Sequence, residues 1–240
     1  MFNHINCEDV QYLKSGSTKN AIPISLVSKD NIAKWQKSLN KNHKTWQKIH
    51  DFKADCGEVI IFSHESGKLD AVAFGTGSEK FDPWNFSKLA SSLPNGSYYI
   101  SDTLVDNDIN LAAFGWAMAH YKFDYYLNKK NNKKAILIVP KNCDLKHVNS
   151  LVRGTTLARD LVNTPTCDMG PDDLAHTASN LAKAFKGKIT ITKGEALLKK
   201  GLNTIHAVGR AAEKEPRLID LVWGNQKSPK ITLVGKGVCF

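Results

Sequence analysis

Lys236 is the residue whose surroundings most suggest chemistry. It stands between Gly235 and Gly237, directly after Ile231-Thr-Leu-Val234. That run reads as a buried parallel strand, and in open α/β sheets ligands gather at the carboxyl ends of strands. Two phosphate motifs fail at this place. A P-loop needs glycine six residues before the lysine and Ser or Thr after it, but Lys230 and Gly237 occupy those positions. A dinucleotide fingerprint opening at Gly235 fails at Phe240. Farther up the chain, Gly75-Thr76-Gly77-Ser78 has Lys80 where a third glycine would be needed, so a tight turn is expected there. His43 and His50 are seven residues apart on a helical stretch but lack a carboxylate at ligand spacing. His120 falls on an apolar helix stripe and reads as a core histidine. Cys239 has apolar neighbours and reads as an inert thiol. Asn163 and Thr164 read as residues that cap and turn the chain.

The five cysteines, at 7, 56, 143, 167 and 239, are odd in number and show no C-x-x-C pair. Neither a disulfide framework nor a zinc knuckle fits them. The chain carries 33 basic and 23 acidic residues, a net charge of +10. Almost all of the base is lysine; arginine occurs only at Arg153, Arg159, Arg210 and Arg217. That scarcity argues against bidentate reading of bases or phosphates, so nucleic acid is disfavoured as the main ligand. Lys34, Lys37, Lys41, Lys44 and Lys48 make a stripe on one helical face. A solvated face is the plain reading of such a stripe; contact with an acidic partner or nucleic acid is the alternative. No run approaches the ~20 apolar residues of a membrane span. The opening MFNHINCEDV lacks the pattern of a secretory signal, so a cytoplasmic protein is expected.

The elements that position these residues alternate between strand and helix. Ala21–Val27, broken by Pro23, reads as an edge or early strand. Residues 31–51 read as helix, with Asn40–Asn42 a candidate break and Trp35, Leu39, Trp46 and Ile49 on one face. Strands are expected at Glu58–Ser63, Leu69–Gly75, Tyr98–Ser101 and Ala135–Val139, and helices at Pro83–Leu93 and Asp106–Leu127. The last of these carries Gly115, which allows close packing. Asn128–Lys134 reads as a basic loop. Leu145–Val162 reads as a helix linking two α/β stretches. The next helix opens at Gly170-Pro171-Asp172-Asp173, with Leu174, Ala178, Leu181 and Phe185 on its core face. Lys188–Thr192, Gly194–Lys200 and Leu218–Trp223 read as strand, helix and strand. A core strand running into Gly235-Lys-Gly237 is a poor terminus, so the chain is expected to be the front part of a longer protein.

Five motifs now resemble a known family. Leu161-Val-Asn-Thr-Pro165, Asp168-Met-Gly-Pro171, Ala207-Val-Gly-Arg210, Pro216-Arg-Leu-Ile219 and Leu233-Val-Gly-Lys-Gly-Val-Cys-Phe240 are similar, in order and spacing, to the leucyl aminopeptidase (cytosol aminopeptidase) family. The stretch from Phe114-Gly-Trp116 to Tyr121-Lys-Phe-Asp124 resembles the end of that family's N-terminal domain, whereas residues 1–100 match only loosely. The resemblance implies an α/β fold with three parts. These are a macro-domain-like mixed sheet with flanking helices (residues 1–144), a linker helix (145–163), and the incomplete start of an α/β catalytic domain (164–240). It implies a hexameric exopeptidase that removes N-terminal residues from peptides with two divalent metals, typically zinc, manganese or magnesium. Lys236 matches the family's lysine metal ligand. The family's next ligand, an aspartate, is expected directly after Phe240. With one ligand, the 240-residue chain is expected to bind no metal pair and to be inactive alone. The alternative is a stand-alone binding or assembly module.

Overall fold

The structure, a computed structural model, describes residues 10–78, 82–127 and 134–238. It divides into two compact units, with the division inside one helix between Thr156 and Leu157. The architecture is α/β, a mixed sheet with flanking helices, as expected from the alternation of elements.

In chain order the first unit holds β1 (Leu13–Ser15), β2 (Ile22–Ser28), α1 (Ile32–Ser38), α2 (Lys41–Ile49), β3 (Val59–Ser63) and β4 (Leu69–Gly77). It continues with α3 (Pro83–Ser92), β5 (Gly96–Ile100), α4 (Asp106–Met118), β6 (Ala135–Val139) and the larger part of α5 (Leu145–Asn163). The sheet order is β1-β6-β5-β2-β4-β3. All pairings are parallel except β3 with β4.

Strand β2 is central, not an edge. Pro23 is tolerated because it precedes the first β2–β4 pair, Ile24 with Val72, so its missing N–H lies outside that ladder. Period-two alternation sends neighbouring side chains to opposite faces. Ile24, Val72, Phe74 and Tyr98 join the larger core with Phe86, Leu89 and Trp116 of α3 and α4. Val27, Ala73, Ile60 and Phe62 join a second core, against which Trp35 of α1 and Trp46 of α2 pack.

Helices α1 and α2 are separate. The break falls at Leu39-Asn40, where the Asn40 side chain accepts the His43 N–H at 2.8 Å and caps α2. The apolar period does not run through the break, so Ile49 is 68% exposed rather than on the core face. Helix α4 stops at Met118, short of the expected Leu127. The backbone tightens into turns at Ala119, His120 and Tyr121, and the Trp116 carbonyl accepts both the Ala119 N–H at 3.3 Å and the His120 ring nitrogen Nδ1 at 3.0 Å. His120 is only half-buried and stacks on Tyr12, with ring centroids 4.0 Å apart. Helices α3 and α4 approach closely at Gly115, where a Cβ would overlap the Pro83 carbonyl.

The second unit holds α6 (Pro171–Ala184), β7 (Lys188–Lys193), α7 (Glu195–Lys199), α8 (Asn203–Gly209) and β8 (Arg217–Val222), with β7 and β8 antiparallel. The opening of α6 is as expected, with Pro171 in the first turn and Asp173 Oδ2 accepting the Gly170 N–H at 3.0 Å. Its buried face differs from the expected one. Ala175, Thr177 and Ala182 are buried, while Leu174 and Phe185 are exposed. Small residues on this face let the helix lie close to β7 and β8.

The close approach at Gly115 gives a direct test. Gly115→Ala is expected to lower the urea midpoint by the equivalent of about 2–4 kcal/mol, since backbone must move. Gly154→Ala lies in α5, where an added Cβ meets nothing within 4 Å, and is expected to raise stability by about 0.5–1 kcal/mol. Burial also pushes the Cys143 thiol up to about 11 from 9.0, and the Tyr98 phenol, which donates to the Pro94 carbonyl, up to about 12 from 10.0. The folded state therefore favours the protonated forms, and the unfolded chain ionises first. Thermal stability is expected to be level up to about pH 9 in respect of these two groups and to fall as pH rises through 11. Cys143→Ala should remove the part of that fall that begins near pH 9.

Candidate functional site

Residues 223–238 form no helix or strand. The expected buried strand Ile231–Val234 is not formed: Ile231, Leu233 and Val234 are 86%, 92% and 93% exposed. A strand buried on both faces needs strands beside it and helices over it. Among the described residues of this unit the only sheet is the β7–β8 pair, and its register ends at Val222. Lys236 is exposed and makes no hydrogen bond or ion pair among the described residues. A Cβ at Gly235 or Gly237 would meet nothing within 4 Å. Cys239 and Phe240 lie outside the described residues, as do Cys7, Lys80 and most of the expected basic loop.

Among the other motifs of the second unit, Thr164 caps the chain as expected, while Gly209 and Arg217 have packing roles that sequence reasoning did not assign. Thr164 Oγ1 donates to the Asp160 carbonyl at 2.6 Å and closes α5. Gly209 lies so close to Pro216 that a Cβ there would overlap the ring. Arg217, whose side chain is 7% exposed, donates to Asp172 Oδ1 at 2.5 Å and to the Glu215 carbonyl at 3.1 Å. It thereby ties the start of β8 to the first turn of α6. The hydrogen bond from Arg217 holds the Asp172 carboxyl below the usual carboxylate range. The signal available beforehand was the scarcity of arginine, which makes each of the four conspicuous.

The remaining candidates do not assemble a reactive centre. Gly75 and Gly77 belong to β4, not to a tight turn. Their N–H groups donate to the Glu58 and Ala54 carbonyls at 2.8 and 3.0 Å, so they are not free to cradle a phosphate. Gly75 is required because a Cβ would overlap the Asp55 carbonyl. His43 turns inward, with Nε2 2.8 Å from Asp70 Oδ2 and its ring stacked on Phe62 at 4.3 Å. His50 is exposed and lies beside Trp46. Among the described residues no three His, Cys, Asp or Glu side chains converge as a metal site. Lys236 alone is one donor, and a divalent ion needs several; the described residues do not by themselves fit a metal pair. No helix among them is long and apolar enough to cross a membrane.

Comparison with known proteins places the chain. Residues 22–140 match the model of the M17 aminopeptidase N-terminal domain, and residues 156–240 match that of the cytosol aminopeptidase family catalytic domain. A probable cytosol aminopeptidase of Sulfurihydrogenibium sp. is 30% identical over 87% of this chain and 47% of its own length. The crystal structure of the cytosol aminopeptidase from Coxiella burnetii aligns with a TM-score of 0.87 and 34% identity, over 95% of this chain and 50% of that one. The bottromycin maturation enzyme BotP, solved in complex with Mn, shares the fold at 18% identity, with a TM-score of 0.70 over 86% of this chain and 46% of its own. The chain thus spans about half the length of the relatives it matches. It belongs to the M17 cytosol aminopeptidase family, whose N-terminal domain and start of catalytic domain it carries.

Proposed function

We propose that this chain is the front portion of a leucyl aminopeptidase that removes N-terminal residues from peptides with the help of two divalent metals. The observation that carries the reading is the match of residues 156–240 to the family's catalytic domain, which includes Gly235-Lys236-Gly237. Within this reading the chain comprises an N-terminal domain over residues 1–144, a linker helix over 145–163 and the start of the catalytic domain over 164–240. Lys236 is a metal ligand. Its ammonium must lose a proton before nitrogen can donate a lone pair, so metal binding by this residue is coupled to proton release. Zinc, manganese and magnesium are the candidate ions, and the Mn complex of BotP supports the choice of a divalent metal. A metal pair in such an enzyme supplies an activated water and a polarised carbonyl. The remaining donors lie outside these 240 residues. Peptides are the substrates, the working assembly is a homo-hexamer, and the compartment is the cytoplasm.

The 240-residue chain alone is expected to be inactive. Incubated with millimolar Mn²⁺ or Zn²⁺ and a leucyl chromogenic substrate, it should release product no faster than metal and buffer without protein. Clear turnover, abolished by a chelator and retained through purification, would overturn the expectation that these 240 residues are inactive without the further donors. In the protein extended to the length of its relatives, Lys236→Ala is expected to cost about a hundredfold or more in activity, since loss even of a group that supports a metal ligand costs about 10–100-fold. An unchanged rate would remove Lys236 from the site.

A further inference from the structure

The lysine stripe gains a shape in the structure that its spacing alone does not give. Because the helical run breaks at Leu39-Asn40, α1 and α2 are distinct walls with a groove of about 550 Å³ between them. Gln36 and Lys37 contribute from α1, Lys44, Gln47 and Lys48 from α2, and Asp51, just past α2, completes the polar lining. A second hollow of about 390 Å³ is lined by Lys41, Lys44, Thr45 and Lys48. Residues 31–50 contain no aspartate or glutamate, and all five lysines are exposed. Asp51 is paired with Lys53 at 2.8 Å, so the lone carboxylate at the groove is already compensated. Underneath, Trp35 and Trp46 anchor both helices on the second core, and Asp70 holds α2 through His43. The walls are therefore fixed from below and cationic above.

The chemistry of the lining selects the kind of ligand. Lysine lacks the planar fork that arginine presents to carboxylate and phosphate alike; it acts as a compact point charge, which suits a row of closely spaced, highly charged oxyanions bound without bidentate reading. The tryptophans face the core, so the groove has no aromatic platform on which bases could stack. Helix α2, with nine residues, is about 13 Å long, which suits a narrow chain of closely spaced charges lying along it better than a duplex. We propose that the groove between α1 and α2 binds a linear chain of phosphates of the inorganic polyphosphate type. The phosphates lie along the groove and run into the hollow that shares its lysines, neutralised by Lys37, Lys44 and Lys48 in the groove and by Lys41 in the hollow. This site is separate from the Lys236 region and does not depend on the aminopeptidase reading.

The test is calorimetric titration of the 240-residue chain with short-chain sodium polyphosphate at low salt. Binding is expected, with log K falling against log salt at a slope of about −3 for four released counterions. The combined substitution Lys37→Gln, Lys44→Gln and Lys48→Gln should weaken binding at least tenfold. Lys188→Gln, Lys199→Gln and Lys227→Gln, which remove the same charge from exposed positions in the second unit, should change it less than twofold. If the groove triple fails to fold by circular dichroism, Lys44→Gln alone is expected to weaken binding about threefold. Four results would overturn the proposal: no heat at low salt, equal loss in both triples, orthophosphate binding as tightly as the chain, or a DNA duplex of equal phosphate concentration binding more tightly through the same lysines.

Discussion

Strand β4 buries Val72 and Phe74 on one side and Ala73 on the other, and this double burial demands a helical layer on each face of the sheet. The two layers differ in kind. On one face α3 and α4 meet so closely at Gly115 that backbone replaces side chain at the contact. Trp116 is then fully buried and donates Nε1–H to the Ala135 carbonyl at 3.0 Å, joining α4 to β6. On the other face two short helices suffice, each resting one tryptophan on the sheet. Short helices with a broken axis turn their outer faces toward each other as well as outward. The lysine groove is thus a consequence of how the second face is covered.

The second unit shows the same rule from its other side. Helix α6 covers a two-stranded sheet with small residues, and Arg217 secures the junction of α6 and β8 from within. Past Val222 the apolar residues Ile231, Leu233 and Val234 have no strand beside them among the described residues and stay in solvent. Their sequence fits a strand buried on both faces, and such a strand forms only where neighbours exist to bury it. Local propensity and tertiary opportunity disagree there.

The sequence was most legible where pattern is local. The runs of β3, β4 and β6, the Pro171 opening of α6, the extent of α5 and the break near Asn40 all carried signals read correctly from period, proline or capping residues. It was least legible where partners decide. Pro23 pointed to an edge or early strand by its lost N–H; β2 is early in the chain, yet the β2–β4 ladder begins one residue after the proline, so the strand is interior rather than an edge. Leu174 and Phe185 looked like a core face, but their target is a narrow sheet that accepts alanine. Gly75 and Gly77 looked like a turn, because nothing local reveals that the carbonyls of Ala54 and Glu58 come to claim their N–H groups. The motif around Lys236 was recognisable from its residues alone, although no cluster of three His, Cys, Asp or Glu side chains forms among the described residues.

The central claim is that Lys236 coordinates a metal in an M17 aminopeptidase. The most direct measurement is an anomalous-scattering map at the manganese edge, from crystals of the protein extended to the length of its relatives. The account predicts two peaks close together, one of them at bonding distance from Lys236 Nζ, with Ile231–Val234 paired as a strand beneath it. Peaks elsewhere, with Lys236 in solvent, would contradict it.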